Sequence, residues 1–300
     1  MQFHWPSQTR ETFGKSLIEA SHTLHADPRF EDDGLADLLD RFPREHMGIY
    51  CFPRQAEGRV QPAHGRADGV CGRDLLEAVK RGDIWLNLRD ASRHLPDYGE
   101  ICDDLFVQLS AASGRHILKP DLGVLISSPK VNVQYHLDIP LVVLVQIRGT
   151  KRVWLYPSGA PFAETEHLEA IALRETEEDL PYSKSFDAHA EIVDLEPGMA
   201  ITWPQTAPHR VENANMMNVS LSCEFMTLPA LIQANAIHAN GVLRRKAGMS
   251  PRQPNGLDAA TIAKAGLSRM LKLVHRPIGA PNPAPQFEID PDAETGVRML

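Results

Sequence analysis

The order of apolar and polar positions divides the chain into helical flanks and a strand-rich middle. Apolar residues recur at helical spacing over residues 35–42, 73–81 and 98–113, and the last two segments end at Gly82 and Gly114. From residue 115 the pattern changes to short runs of Val, Ile and Leu between Pro or Gly residues, which is typical of strands. Strands are predicted over residues 122–127, 131–136, 141–148, 152–156, 191–195, 199–203, 209–212 and 217–226.

Two segments interrupt or follow this strand series. Residues 159–190 are rich in glutamate, which predicts a helix-bearing insertion at the surface. The pattern is helical again over residues 257–276, and a proline-rich tail, expected to be extended, begins at residue 277. The late helix carries an apolar stripe, expected to pack on the barrel or on a second subunit, formed by Ile262, Leu267, Met270, Leu271 and Val274.

Strands grouped in the middle of the chain favour a mainly β fold with flanking helices. Regular alternation of strands and helices, which a parallel α/β fold needs, is missing from the middle block. We therefore predict a small antiparallel barrel of the jelly-roll type, with N- and C-terminal helices. The expected regions are a helical and irregular part packed on the barrel (1–114), the barrel with its insertion (115–228, insertion 159–190), and C-terminal helices with a tail (229–300).

The composition supports a strand-based fold and excludes some classes of binding partner. The 300 residues include 31 basic and 39 acidic side chains, so the net charge is −8, which argues against nucleic-acid binding. The 23 prolines favour a turn-rich, strand-based body. No apolar run approaches the roughly 20 residues that span a bilayer, and no signal peptide is visible. The four cysteines lie far apart, which is typical of reduced thiols, and we expect a cytoplasmic protein.

The chemistry-bearing candidates begin at the end of one predicted strand. His136 and Asp138 are two residues apart and so share one strand face, and His209 follows Pro208 at the start of a later strand. Two histidines and one carboxylate form the facial triad that suits non-haem Fe(II). A His-x-acid pair also arises by chance: His25 precedes Asp27 in a non-strand region, and the pair of His167 and Glu169 in the insertion is expected to be a solvated helix face. Spacing alone leaves structural histidines as an equal alternative.

Lys151 lies at a junction between two predicted strands, after Gly149. A lysine that points into a barrel is costly to bury unless an anion meets it. An ordinary turn lysine is the simpler interpretation of the spacing, and on the spacing alone both interpretations stay open.

Three segments together resemble the JmjC and cupin-like family of Fe(II)- and 2-oxoglutarate-dependent oxygenases. They are YHLD (135–138), QIRGTKRVWLYP (146–157) and LEPGMAITWP with PHRVEN (195–204 and 208–213). They occur in the order and at the spacing of that family, and the resemblance covers about residues 115–227.

The resemblance implies a role for each matching position. His136, Asp138 and His209 resemble the iron ligands, and Lys151 resembles the lysine that pairs with the distal carboxylate of 2-oxoglutarate. The chain departs from the family where Val133 replaces a frequent Ser or Thr, and where Val142 replaces a polar residue that is common in protein hydroxylases. Side chains that could compensate at the 2-oxoglutarate site are Asn132, Gln134 and Tyr135, with Asn132 and Gln134 placed by strand alternation on the face of His136. Trp203 is expected to line the substrate cavity, and Trp154 to pack in the core.

The function implied by the resemblance is that of an iron- and 2-oxoglutarate-dependent oxygenase. It would use O2 to hydroxylate a C–H group of an unidentified protein or small molecule. Two alternatives remain: a metal-binding cupin whose chemistry does not use 2-oxoglutarate, and a cupin-like binding module without catalysis. The resemblance also implies a homodimer formed through the C-terminal helices, and neither a nucleic acid nor a membrane is an expected partner.

Overall fold

The computed structural model describes residues 1–51, 62–254, 256–274 and 284–300, without the side chains of residues 273 and 274. The predicted helix end at residue 276 and residues 277–283 of the predicted tail therefore lie outside the described residues, as does the Val274 side chain of the stripe.

The middle of the chain forms the predicted strands, with small shifts at their ends. They are β6 (Leu118–Ser127), β7 (Asn132–His136), β8 (Leu141–Arg148), β9 (Lys151–Leu155), β10 (Glu191–Leu195), β11 (Met199–Thr202), β12 (His209–Asn213) and β13 (Asn218–Met226). Strands outside this block are β1 (Phe3–His4), β2 (Ile18–His22), β3 (Met47–Cys51), β4 (Ala63–Arg66), β5 (Ile84–Leu88), β14 (Phe287–Ile289) and β15 (Val297–Met299).

Helices flank these strands on both sides. They are α1 (Thr9–Thr12), α2 (Asp32–Arg41), α3 (Gly72–Arg81), α4 (Ala91–His94), α5 (Pro96–Ser113), α6 (Thr165–Ala172), α7 (Leu228–Ala247) and α8 (Ala259–Val274). The predicted helices at 35–42, 73–81 and 98–113 are confirmed, whereas the last helix begins two residues later than the predicted start at 257.

Two sheets face each other and confirm the jelly roll. The smaller sheet has the order β10-β9-β12-β7, and it lies against the β11-β8-β13-β6 part of a larger sheet. Between them lies an apolar interior to which β8 contributes Val142 and Leu144, while β9 contributes Val153 and Leu155. The alternate β8 residues, Val143 among them, pack on the opposite face against the helices. Both faces of β8 are thus covered, which is why its sequence is an unbroken apolar run.

The N-terminal region is not only helical and irregular, as the sequence predicted, because five of its segments are strands that extend the larger sheet. β2 pairs with β11 at one end of the barrel, and β5 pairs with β6 at the other. His22 fastens β2 through its ring Nε2, which lies 3.0 Å from the Gln146 carbonyl oxygen. Burial lowers the pKa of His22 to about 4, so the ring is neutral and donates one proton to that oxygen. The division into three regions at 114 and 228 stays a prediction.

The insertion contains the predicted helix, α6, which is solvated at His167 as expected but not at Glu169. Glu169 is fully buried, and its carboxylate accepts a hydrogen bond of 2.8 Å from Arg244 Nε on α7. Arg245 Nε lies 2.6 Å from the carboxylate of Glu175, just after α6. Charge pairing therefore joins the insertion to α7 and buries Glu169 between them, which spacing along either helix alone does not reveal.

The stripe predicted on the last helix does not pack on the barrel. Ile262 and Met270 are 50% and 67% exposed, while the α8 side chains that are buried include Thr261 and Ser268. Ser268 Oγ lies 3.1 Å from His238 Nδ1 on α7. The alternative, packing on a second subunit, stays a prediction. None of the helices in the described ranges is long and apolar enough to cross a membrane.

The turn from β8 to β9 depends on Gly149, and this generates a stability prediction. Gly149 has a φ of +71°, and a Cβ there would lie 2.4 Å from the Met217 carbonyl oxygen. Gly149→Ala should lower the free energy of unfolding by at least about 2 kcal/mol, from backbone strain and overpacking together. Chemical denaturation measures this loss.

Gly14→Ala is the matched control, because Gly14 has a φ of +72° and no atom within 4 Å of the added Cβ. It should cost about 1 kcal/mol from the backbone alone. Equal losses in the two variants would contradict the proposed clash.

Candidate active site

The structure brings the three predicted metal ligands together at one end of the barrel. His136 ends β7, His209 begins β12, and the two residues are direct partners across these antiparallel strands. Asp138 follows two residues after His136, and its Oδ2 lies 3.5 Å from His209 Nε2. One ligand atom from each of the three residues lies within 4.8 Å of the others. The cluster has the composition and spacing of a facial metal site.

Backbone carbonyl groups orient both imidazoles. His136 Nδ1 lies 2.7 Å from the Gln134 carbonyl oxygen, and His209 Nδ1 lies 3.3 Å from that of Ala207. Because a carbonyl oxygen only accepts, each Nδ1 carries the proton and each Nε2 keeps a free lone pair. This is the tautomer that a metal-binding histidine needs.

The electrostatics of the cluster favour an added cation. Burial raises the pKa of Asp138 to about 6, with Glu178 adding to the rise and His136 opposing it. Burial, together with the neighbouring His136, holds the pKa of His209 well below its usual value. A carboxylate that is costly to ionise and a neutral imidazole both gain from a positive ion placed between them.

Asn132 does not lie on the predicted face of β7, because a β-bulge interrupts the strand. The pairing of β7 with β12 shifts register between His209 and Val211, so Val133 lies opposite Val211 and Asn132 opposite Glu212. Val133 packs against the apolar interior, whereas Asn132 is exposed. Asn132 therefore does not reach the cofactor position that alternation predicted, because the bulge changes which residues face inward.

Tyr135 also lies on the wrong face for the predicted cofactor role. Its hydroxyl donates a hydrogen bond of 2.9 Å to the Phe162 carbonyl oxygen, and its ring packs 4.9 Å from that of Tyr156. This aromatic cluster covers the outside of the smaller sheet and includes Trp154, which packs in a core as predicted. Gln134, the third expected residue, lines the groove beside His136.

Lys151 lies inside the barrel rather than in a solvated turn. It begins β9, is 7% exposed, and shares the inward face of that strand with Val153. No residue within the described ranges forms a hydrogen bond or ion pair with its ammonium group. Burial alone lowers the pKa of Lys151 to about 7. An unpaired cation in an apolar interior is the arrangement expected where an anion binds.

Trp203 packs beside the metal ligands, although it does not line the substrate cavity as predicted. It is 5% exposed within the apolar interior, and its ring lies 4.8 Å from that of His209. Strand alternation from Ile201 turns Trp203 into the barrel, where it supports the His209 ring.

A groove of about 1440 Å3 opens onto the cluster at His136. One wall is the sheet extension, with β3 and β5, and another is α7. The third wall is the insertion, which the sequence placed at the surface. Asp179 pairs with His136 across a β-bridge, and the amide of Leu137 donates a hydrogen bond of 3.2 Å to the Glu178 carbonyl oxygen. The insertion therefore shapes the entrance to the metal ligands directly.

Gln205 joins three parts of the site, although no sequence motif points to this residue. Its Nε2 donates to the carbonyl oxygens of Ile139, at 2.7 Å, and of Ala230, at 3.1 Å. Ile139 follows the ligand Asp138, Ala230 lies in the first turn of α7, and Gln205 itself precedes His209 in the loop from β11. One carboxamide thus fixes the segments that carry two ligands relative to each other and to the groove wall.

Comparisons with known proteins show which solved structures have the same fold as this chain. No protein-family model matches the chain, and no curated protein matches it in sequence. Among solved structures, Escherichia coli YcfD is similar with a TM-score of 0.52 and 18% identity, over 93% of this chain and 71% of that one. A structure of YcfD, a ribosomal oxygenase from Escherichia coli, in complex with cobalt and 2-oxoglutarate is similar with a TM-score of 0.50 and 16% identity, over 92% and 69%. The chain therefore shares the fold of an oxygenase, and the fold implied by the sequence resemblance is confirmed.

The bridging role of Gln205 generates a prediction about metal affinity. Gln205→Met keeps the side-chain length but cannot donate to the two carbonyl groups, so the ligand segments should lose their relative alignment. We expect about tenfold weaker Co(II) binding, as for other residues that support metal ligands. Titration of the Co(II) absorption bands measures it.

Gln253→Met is the control, because Gln253 is also half-buried but donates to Glu169, in the contact of α6 with α7. Its Co(II) affinity should match that of the wild type. Unchanged affinity in Gln205→Met would show that Gln205 does not position the ligands.

Proposed function

We propose that this protein is an Fe(II)- and 2-oxoglutarate-dependent oxygenase that hydroxylates a C–H group of a protein substrate. The observation that carries the proposal is the pairing, in one barrel, of a His-Asp-His cluster with a buried lysine that has no partner among the described residues. The first binds a cation and the second an anion. An oxygenase of this class needs both.

His136, Asp138 and His209 would hold the iron. Two imidazoles and one carboxylate leave coordination positions open, which is the donor set of non-haem Fe(II) oxygenases. Bound iron would supply the oxidation in which 2-oxoglutarate loses CO2 and takes one oxygen atom of O2 to give succinate, while the other atom enters the substrate C–H bond. The protein's own contribution is to orient the imidazoles through the carbonyl groups of Gln134 and Ala207 and to exclude water from the barrel.

Lys151 would pair with the distal carboxylate of 2-oxoglutarate. The ammonium group is already desolvated, so an anion that enters gains its full attraction in a medium of low dielectric constant. The strand partner of Lys151 on β12 is Asn213, whose amide nitrogen already donates to Ser127 and Ser128. The next inward pair, Val211 and Val133, offers no side-chain hydrogen bond. YcfD, whose fold the chain shares, is a ribosomal oxygenase that has been solved with 2-oxoglutarate.

Val133 also supports the second candidate, a metal-binding cupin that does not use 2-oxoglutarate. The hydroxyl group frequent at this position in the resembling family is missing, and an apolar side chain faces the interior instead. A binding module without catalysis would keep the same barrel. The unpaired charge of Lys151 favours the oxygenase, because an apolar interior without an anion to bind gains nothing from it.

The groove supports a protein substrate over a small molecule. Its volume of about 1440 Å3 exceeds the roughly 300–1,000 Å3 of small-molecule sites. The description of YcfD as a ribosomal oxygenase also favours a protein substrate. A ribosomal protein encountered in the cytoplasm is therefore the class of substrate that we propose.

The direct test is anaerobic titration with Fe(II) and 2-oxoglutarate, followed by exposure to O2 and measurement of succinate. We expect 2-oxoglutarate to bind only with the metal and succinate to form. His136→Ala removes one of three ligands, so it should abolish tight metal binding and succinate formation.

His167→Ala is the matched control, because His167 also stands two residues before an acidic residue but is exposed on α6. It should behave as the wild type. Tight metal binding without any 2-oxoglutarate binding would favour the second candidate, and metal binding that survives in His136→Ala would refute the ligand assignment.

Lys151→Met should have opposite effects on binding and stability. It should abolish 2-oxoglutarate binding while raising the free energy of unfolding by about 1–4 kcal/mol, since a buried unpaired charge is replaced by an apolar side chain. The pKa of Lys151 is near 7 in the folded state and 10.5 in the unfolded state. The buried ammonium group therefore destabilises the folded state fully below pH 7, and this destabilisation decreases as the pH rises towards 10.5.

Urea denaturation at several pH values measures the stability gain, and calorimetry measures 2-oxoglutarate binding. Lys246→Met, at an exposed position near the end of α7, is the control and should change neither. A Lys151→Met variant that is less stable at pH 7 would show that the ammonium group has a partner in the free protein.

A further inference from the structure

One wall of the groove carries a polar side chain that the chemistry at the metal does not use. Asn87 lies on β5 between Trp85 and Arg89, and strand alternation turns all three towards the groove, which they line. The intervening Leu86 and Leu88 are fully buried in the core below. The position of Asn87 is therefore fixed by the packing of its own strand.

Asn87 is buried without a partner for its carboxamide. The residue is 8% exposed and its backbone pairs with β3 and β6, yet no group within the described ranges forms a hydrogen bond with its carboxamide. Most buried side-chain amides in proteins are hydrogen-bonded, because burial of an unsatisfied amide costs free energy. A carboxamide held in this way at the wall of an open groove is placed to bond with a ligand.

An aromatic surface lies beside this carboxamide. Gly48 is the β3 partner of Asn87, and a Cβ on Gly48 would lie 2.7 Å from the ring of Tyr50. The absence of a side chain at Gly48 therefore lets the Tyr50 ring lie across the strand next to Asn87. That ring is 5.1 Å from the ring of Trp85 and 5.0 Å from that of His64. The three rings form a continuous aromatic surface, and the carboxamide of Asn87 lies at its edge.

The chemistry of this wall matches a peptide group. A carboxamide offers one acceptor and two donors, and a peptide bond offers one donor and one acceptor in a similar plane. One asparagine can thus satisfy both polar groups of a single peptide unit, while neighbouring rings pack against the adjacent side chain.

We propose that Asn87, with the aromatic surface of Tyr50, Trp85 and His64, binds one peptide group of an extended polypeptide substrate. The proposal rests on the oxygenase function above and specifies how its protein substrate is held. The same groove reaches His136, so a chain held at Asn87 continues to the metal ligands.

The test uses peptides from a phage library of random 12-residue sequences, selected on the full-length protein loaded with Co(II) and 2-oxoglutarate. Asn87→Leu fills a similar volume without a polar group and should weaken the selected peptides about tenfold or more, as expected when a buried hydrogen-bonding partner is lost. Asn235→Leu is the control, because Asn235 lines the same groove but already donates a hydrogen bond of 2.7 Å to the Leu231 carbonyl oxygen. It should retain affinity.

A second measurement identifies the backbone contact. Each backbone nitrogen of a selected peptide is methylated in turn, which removes one donor. Methylation at one position should weaken binding to the wild type but leave binding to Asn87→Leu unchanged. Thermal denaturation verifies that both protein variants are folded.

The inference is overturned if no peptide is selected, if Asn87→Leu binds the peptides as the wild type does, or if every methylation weakens both proteins equally. These outcomes are separate from failure of the proposed function, which is decided by 2-oxoglutarate binding and succinate formation without a peptide. A protein that forms succinate but fails the peptide test would remain an oxygenase with a different substrate class.

Discussion

The antiparallel pairing of β7 with β12 is the constraint on which the site depends. It places His136 directly opposite His209, two residues that are far apart in the chain, and the two-residue step to Asp138 completes the cluster. Because the two strands are neighbours in the smaller sheet, their separation is fixed by backbone hydrogen bonds. On the other side of His136, a β-bridge to Asp179 holds the insertion in place. The strand β7 therefore positions both the metal-ligand side chains and the insertion at the entrance of the groove.

The barrel interior also explains why the site suits two ligands of opposite charge. Asp138 and Lys151 are both ionisable groups in an interior whose other side chains are largely apolar, and burial shifts the pKa of each towards its neutral form. Each of these pKa shifts would reverse if an ion of opposite charge bound beside the group. A cation at the histidines and an organic anion at the lysine would restore both ionised forms, which links the stability of the barrel to its occupancy.

Parts outside the barrel form the walls of the groove that opens onto the site. The N-terminal strands lengthen the larger sheet beyond β6, α7 forms a second wall, and the insertion forms a third. The ion pair of the buried Glu169 with Arg244 holds the insertion against α7. The barrel thus holds the cluster of metal-ligand side chains, while the added elements form a groove of about 1440 Å3 beside it.

The sequence by itself determined the barrel strands and the two-residue spacing of His136 and Asp138, because strand periodicity is a local property. Lys151 was singled out only by the order of the motifs around it, since its spacing also fitted an ordinary turn lysine. The tertiary structure decided the rest. A bulge in the pairing with β12 turned Asn132 outward, and interior packing took Trp203 away from the groove. Gln205 and Asn87 have no motif, since their roles come from carbonyl groups and rings brought near by folding. Contacts between distant segments cannot be inferred from periodicity along a single chain.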